Sequence, residues 1–165
     1  MAVAAGGLIA IAGSAEANVI SNTTSAGIGG NGTINVNAVN VRARDTSQLD
    51  TDTGALAASG LAPAGGAVGA NIMSNTVEAY IDGTTVNTDV AGVEVCATSD
   101  YEVDALALAA SGAGLVAGVG TLTYNDLSNT TSASLRGEAN IVSADAVRVR
   151  ATDPTVVEAN AGGLA

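Results

Sequence analysis

Apolar and polar residues alternate with a period of two along much of the chain. The clearest stretch is Thr76-Val-Glu-Ala-Tyr-Ile-Asp82, in which Val77, Ala79 and Ile81 fall on one face and Gly83 ends the run. Residues 84–92 read as a loop, with Asn87, Asp89 and Gly92 as its turn residues. Beyond it Val93, Val95 and Ala97 alternate with Glu94, Cys96 and Thr98. Alternation in Val/Ile/Thr-rich segments bounded by glycine predicts half-buried strands. Two other stretches, Leu8-Ile-Ala-Ile-Ala-Gly13 and Ala105-Leu-Ala-Leu-Ala-Ala-Ser-Gly112, are apolar on both faces. A strand of that kind is covered on both faces, so these segments are expected between two layers or against a neighbouring chain. A helix is the competing reading for the Ala/Leu stretch.

The pattern repeats. Ser-Asn-Thr begins at Ser21, Ser74 and Ser128, and Val39-Asn-Val41-Arg-Ala43 recurs as Val93-Glu-Val95-Cys-Ala97 and Val147-Arg-Val149-Arg-Ala151. Ala/Gly runs close each unit: Ala57-Ala-Ser-Gly60, Ala109-Ala-Ser-Gly112 and Asn160-Ala-Gly-Gly163. A period of about 53 residues is the signature of a stacked architecture. One repeat domain over 1–165 follows, with units of about 3–58, 59–110 and 111–165. The expected fold is all-β, a parallel β-solenoid of three such repeats; an antiparallel β-sandwich of long hairpins is the alternative. Strands of about 8 to 10 residues would form four sides of one wide turn.

Stacking turns each aligned set into a ladder with rungs about 4.8 Å apart. Ile28, Ile81 and Leu135 make an apolar ladder. Asn18, Asn71 and Asn125 make one amide ladder, and Asn22, Asn75 and Asn129 a second, with side-chain amides expected to hydrogen-bond along the axis. Gly30, Gly83 and Gly137 mark corners that need positive φ. Asp50, Asp104 and Glu158 make an acidic ladder, which must face solvent, be screened, or be neutralised by a cation, because like charges at this spacing repel.

Composition sharpens this picture. The chain has 21 glycines, no Phe, no Trp and three tyrosines. Its apolar share of 47% is therefore mostly Ala, Val, Leu and Ile, which suits thin layered packing better than a thick core. The net charge is -11 and the five basic residues are all arginine. Nucleic acid and anionic membrane, which need a basic face, are not expected partners. No uninterrupted apolar stretch of 18 residues exists, so no membrane insertion is expected. Cys96 has no partner for a disulfide, and its aligned residues are Arg42 and Arg150. Met1-Ala-Val-Ala-Ala-Gly-Gly matches the end of the third unit, so a segment of a longer array is expected.

Candidate chemistry is sparse. There is no histidine or lysine to serve as a base or nucleophile, and no P-loop or dedicated calcium motif. No catalytic site and no cofactor are expected. The strongest metal candidate is a weak Ca²⁺ site built from Asp100, Glu102 and Asp104, which alternation puts on one face, together with Asp50 and Glu158. The competing reading of the same residues is a solvated strand face.

The sequence Gly66-Ala-Val-Gly-Ala-Asn-Ile-Met-Ser-Asn-Thr-Val-Glu-Ala-Tyr-Ile-Asp-Gly83, followed by Val93-Glu-Val-Cys-Ala-Thr98 and the Ala/Gly run, resembles the repeats of very large bacterial surface proteins. These are the filamentous adhesins of the leukotoxin and filamentous-haemagglutinin type, secreted through type V pathways. The resemblance spans all three units. It implies a parallel β-solenoid shaft at the bacterial cell surface, contacts with host or environmental glycan or protein through regions outside this segment, and no catalytic residue. Self-association, end to end or lateral, is expected from open sheet edges. A glycan- or calcium-binding solenoid module is the alternative function.

All five arginines and the three tyrosines lie in or near predicted strands. The folded chain is therefore expected to survive trypsin and chymotrypsin under native conditions, as read by gel over hours; rapid cleavage at Arg42 or Arg148 would speak against continuous strands.

Overall fold

In the computed structural model, which describes every residue except Gly114 and Ala144, the chain is all-β. Fourteen strands are present among the described residues, and no helix. They are β1 (Ala2–Gly6), β2 (Ile9–Ile20), β3 (Thr23–Gly29), β4 (Thr33–Val36), β5 (Val39–Ser59), β6 (Ala62–Met73), β7 (Thr76–Asp82), β8 (Thr85–Thr88), β9 (Val93–Gly112), β10 (Gly118–Leu127), β11 (Thr130–Arg136), β12 (Asn140–Ser143), β13 (Val147–Thr152) and β14 (Val156–Leu164). They form four sheets: β1-β5-β9-β13 with β14 also on β9, then β2-β6-β10, β3-β7-β11 and β4-β8-β12.

Every pairing is parallel. The antiparallel sandwich is thereby excluded, since a hairpin-built sheet would pair sequence neighbours antiparallel. Paired residues lie 53 or 54 positions apart in most strands, as in Ala2↔Ala55 and Val39↔Val93. In the short β4-β8-β12 sheet the separations are 52 and 55, as in Thr33↔Thr85 and Asn140↔Thr85. Turns flanking that sheet absorb the mismatch.

Four sequence expectations are corrected. Residues 84–92 are not all loop, because Thr85–Thr88 forms β8. The Val93–Thr98 alternation continues to Gly112 as one strand of 20 residues, which also removes the helix reading of Ala105–Gly112. Strand lengths are unequal, from 4 to 21 residues, where about 8 to 10 was expected. The Ala/Gly runs are also offset: Ala57 pairs with Ser111, and Asn160 pairs with Leu106. Hydrogen-bond register along the rest of the strand fixes this alignment, and a visual match of small residues does not.

The long β5 and β9 strands run past two different interiors. Their first halves face β3, β7 and β11 across a core of Val41, Val77, Ile81, Val93, Val95 and Val103. Their second halves face β2, β6 and β10 across a thin core of Ala10, Ala12, Ala55, Ala57 and Ala109. Gly65 lets the backbones approach there, since a Cβ on it would sit 3.1 Å from the Ala110 carbonyl oxygen, and Gly69 leaves room for the Thr51 side chain. The molecule therefore has a wide end filled by valine and a narrow end filled by alanine. Pro154, which lacks an N–H, splits β13 from β14 where the neighbouring β9 runs unbroken.

Ile81 is fully buried between Ile28 and Leu135, while Leu135 is 37% exposed on the outer strand. Ile81→Ala is expected to lower unfolding free energy by about 2–5 kcal/mol, and Leu135→Ala by less. Urea denaturation followed by circular dichroism measures both; equal losses would contradict the burial difference.

Candidate functional site

Side chains that face each other across adjacent strands form columns, and the columns are where polar chemistry concentrates. Asn18, Asn71 and Asn125 are paired rung by rung. The Asn18 amide donates to the Asn71 Oδ1 at 3.3 Å and the Asn71 amide donates to the Asn125 Oδ1 at 3.0 Å. Asn18 also donates to the Thr51 hydroxyl at 2.7 Å, and that hydroxyl donates in turn to Asn71. This network lies where the alanine core meets the valine core. Each bond is worth about 0.5–1.5 kcal/mol, and leaving a buried partner bare costs about 1–3 kcal/mol.

The second Asn column works differently from the expectation. Its side chains do not bond to one another. The backbone N–H of Asn22 donates to the Asn75 Oδ1 at 2.9 Å, and that of Asn75 donates to the Asn129 Oδ1 at 3.0 Å. These residues sit in the break between strands; the Asn22 and Asn75 carbonyls still accept from the Thr76 and Thr130 N–H groups, but their own N–H groups are met by the neighbouring amide oxygen instead of a backbone carbonyl. The corner that follows stacks Gly30, Gly83 and Gly137, all at positive φ. There the Gly30 N–H donates to the Asp82 carbonyl and the Gly83 N–H to the Arg136 carbonyl.

Two cross-strand contacts escaped the sequence reading. The guanidinium of Arg136 lies 4.0 Å over the Tyr80 ring and bonds Glu78 at 2.5 Å and Asp82 at 3.1 Å. The other side of the ring is packed on Gly27, where no Cβ could fit. One residue from each of three neighbouring strands thus makes a staple, and both ring faces are occupied. Second, Tyr101 is buried and donates to the Asp45 carboxylate at 3.2 Å. Burial, followed by the Asp45 charge, pushes its phenol up to about 12. Alternation marks these side chains as inward or outward, but both contacts run diagonally, which column alignment does not reveal.

Asp50, Asp104 and Glu158 are in register, as are Thr46 with Asp100 and Gln48 with Glu102. Their side chains point to solvent. Asp100 has Arg44 at 3.8 Å, and Gln48 lies 3.5 Å from Asp50. Among the described residues no group of three or more His, Cys, Asp or Glu side chains converges to hold a metal ion. Strand pleating spreads Asp50, Asp100, Glu102, Asp104 and Glu158 along the face, whereas Ca²⁺ needs its oxygens within about 2.6 Å of one point. Thr46, Ser47, Gln48, Asp100 and Glu102 do line a shallow polar groove of ≈ 340 Å³. Cys96 is half-buried, between Arg42 and Arg150 in its column.

Comparison with family models, curated proteins and solved structures found no match to this chain.

Tyr101 gives the structure a defined alkaline limit. Below about pH 10 its phenol is neutral in both folded and unfolded chains. Between pH 10 and about 12 the unfolded chain ionises and the folded chain does not, so stability drains over that window. The urea midpoint is expected to fall from pH 9.5 upward, and Tyr101→Phe to begin lower but decline less. Parallel decline in both proteins would remove Tyr101 from this role.

Proposed function

We propose that the chain is a length of parallel β-solenoid, three turns of about 53 residues, serving as the shaft of a secreted, surface-displayed repeat protein of the adhesin type. The observation that carries the reading is register. In all four sheets the paired residues are 52 to 55 positions apart, so one period corresponds to one strand spacing in every sheet. A chain built this way gains length, about 4.8 Å per period, and little else. The Asn18-Asn71-Asn125 column bonds along its own length and to Thr51, and among the described residues the carboxylates do not converge on one point. Both are properties of a load-bearing rod.

The proposed location is the bacterial cell surface, where a rod carries a binding tip outward. The open edges of β1 and of β13 and β14 favour end-to-end association. The polar groove beside Thr46 and Glu102 supports a second reading, a glycan-gripping face, since alternating hydroxyl, amide and carboxylate groups are the partners sugar hydroxyls use.

Ala2, Ala55, Ala109 and Gly163 occupy one column. Copies fused so that Ala2 of the second takes the place of Gly163 of the first should continue the sheets without interruption. Six- and nine-period fusions are expected to be rods whose length, by cryo-electron microscopy, grows by about 4.8 Å per period. Separate globules joined by flexible links would sink the shaft reading. Glycan arrays probed with native chain and with Glu102→Ala test the second reading; blank arrays would end it.

A further inference from the structure

The corners of the stack differ in length. Two residues, Gly83 and Thr84, join β7 to β8, whereas three, Gly30, Asn31 and Gly32, join β3 to β4. The extra residue is why the spacing drops from 53 at Gly29↔Asp82 to 52 at Thr33↔Thr85. Both ends of the longer corner are held. The Gly30 N–H donates to the Asp82 carbonyl, the Thr84 hydroxyl to the Gly30 carbonyl, and the Thr85 N–H to the Gly32 carbonyl. Its middle is not: among the described residues neither the Asn31 nor the Gly32 N–H makes a backbone hydrogen bond, and both residues are exposed. Nothing lies within 4 Å of where a Cβ on Gly32 would stand, and its φ is outside the left-handed region.

This corner brings together what an intramolecular imide needs: a carboxamide, a following N–H free of the ladder, and no Cβ on that following residue to crowd a closing five-membered ring. The other twelve asparagines lack the last of these, because only Asn31 precedes glycine. Nine precede Val, Ile or Thr, whose branched Cβ crowds the ring most. Asn75 and Asn129 are guarded twice over, since the N–H groups of Thr76 and Thr130 donate to the Asn22 and Asn75 carbonyls. The nearest rival is Asn37, which is exposed between β4 and β5 but precedes Ala38.

We propose that Asn31–Gly32 is a site of self-modification, at which Asn31 deamidates through a cyclic imide to aspartate and isoaspartate. The Gly32 nitrogen gives up its proton and bonds to the Asn31 Cγ. The bond from Cγ to Nδ2 breaks, and Nδ2 leaves with a proton as ammonia. Water then opens the imide. Addition at Cγ restores the original main chain with an aspartate side chain; addition at the main-chain carbonyl leaves isoaspartate, whose main chain runs through Cβ and Cγ. The net change is amide plus water to carboxylate plus ammonium, with no oxidant or reductant. Either product places a negative charge against Gly83, since the Asn31 Oδ1 lies 3.2 Å from where a Gly83 Cβ would stand. Isoaspartate also lengthens the corner by one methylene. The three-residue corner absorbs it, because β3 on β7 and β4 on β8 are tied independently on either side. The proposal holds whether or not the chain is a shaft, since it uses only this corner.

The test incubates the full chain in neutral buffer, quenches samples in acid, digests them with pepsin and maps them by mass spectrometry. Isoaspartate is read separately by methylation with protein-isoaspartate methyltransferase. Asn31 is expected to convert about tenfold or more faster than Asn37 or any strand asparagine, whose reaction waits on local opening. The circular dichroism spectrum is expected to stay that of the unmodified chain. Gly32→Ala, which the open space and the φ at Gly32 accept, is expected to slow Asn31 to the rate of Asn37. Asn31→Gln sets the carbonyl one methylene too far for a five-membered ring and is expected to abolish conversion at this position; it carries the test should Gly32→Ala fail to fold. Conversion of Asn31 no faster than that of Asn37, conversion that neither substitution slows, or loss of the β spectrum as Asn31 converts would each overturn the proposal.

Discussion

In-register parallel pairing across about 53 residues is the constraint on which the rest depends. Each side chain sits directly on its counterpart, so every column must tolerate its own repetition. Apolar columns gain from this: Ile28, Ile81 and Leu135 bury one another, and the middle member is the most buried. Amide columns also gain, because an amide carries both donor and acceptor and can bond to a copy of itself. Carboxylate columns lose, which explains why Asp50, Asp104 and Glu158 face solvent at the cost of repulsion at about 4.8 Å. Arginine appears only where it can reach a carboxylate or a ring on a neighbouring strand, or on the outermost strand β13.

The same constraint accounts for the composition. Where two sheets press together at the narrow end, the gap is filled mainly by Ala and Gly, with Thr53, Pro63 and Ser111 beside them and Val119 at the margin, and most larger aliphatic residues are displaced to the outside. At the wide end, valine and isoleucine fill the interior, and Tyr101 is the one aromatic ring buried in it. The Asn18-Asn71-Thr51 network occupies the step between these two widths, where neither small nor large apolar residues would fill the space. Satisfied polar groups at such a junction fix the lateral position of one sheet on the other, because a slip would strand them without partners.

Much of this was legible in the sequence, and the remainder was not for identifiable reasons. Alternation in Thr76–Asp82 and the 54-residue recurrence of Val39, Val93 and Val147 located strands and their partners. Columns are linear in sequence and can be aligned by eye. The strand Thr85–Thr88 could not, because four residues between Gly83 and Asp89 carry too short an alternation to stand apart from a loop. The Ala/Gly runs misled because similar small residues match at several offsets, and only the long β5–β9 ladder fixes one of them. The Arg136–Tyr80–Gly27 staple and the Tyr101–Asp45 bond join different columns, so no alignment of like with like predicts them. Of the acidic residues, the shared face of Asp100, Glu102 and Asp104 was readable from alternation; the distance between their carboxylates was set by pleating.

Repetition also determines what kind of function such a chain can hold. A reaction centre concentrates unlike groups at one point, and columns of like groups work against that. Columns favour properties that scale with the number of rows. Each further row adds one rung to the same apolar and amide columns, as Ile81 does between Ile28 and Leu135 and Asn71 between Asn18 and Asn125, and the middle rung is the one most fully enclosed.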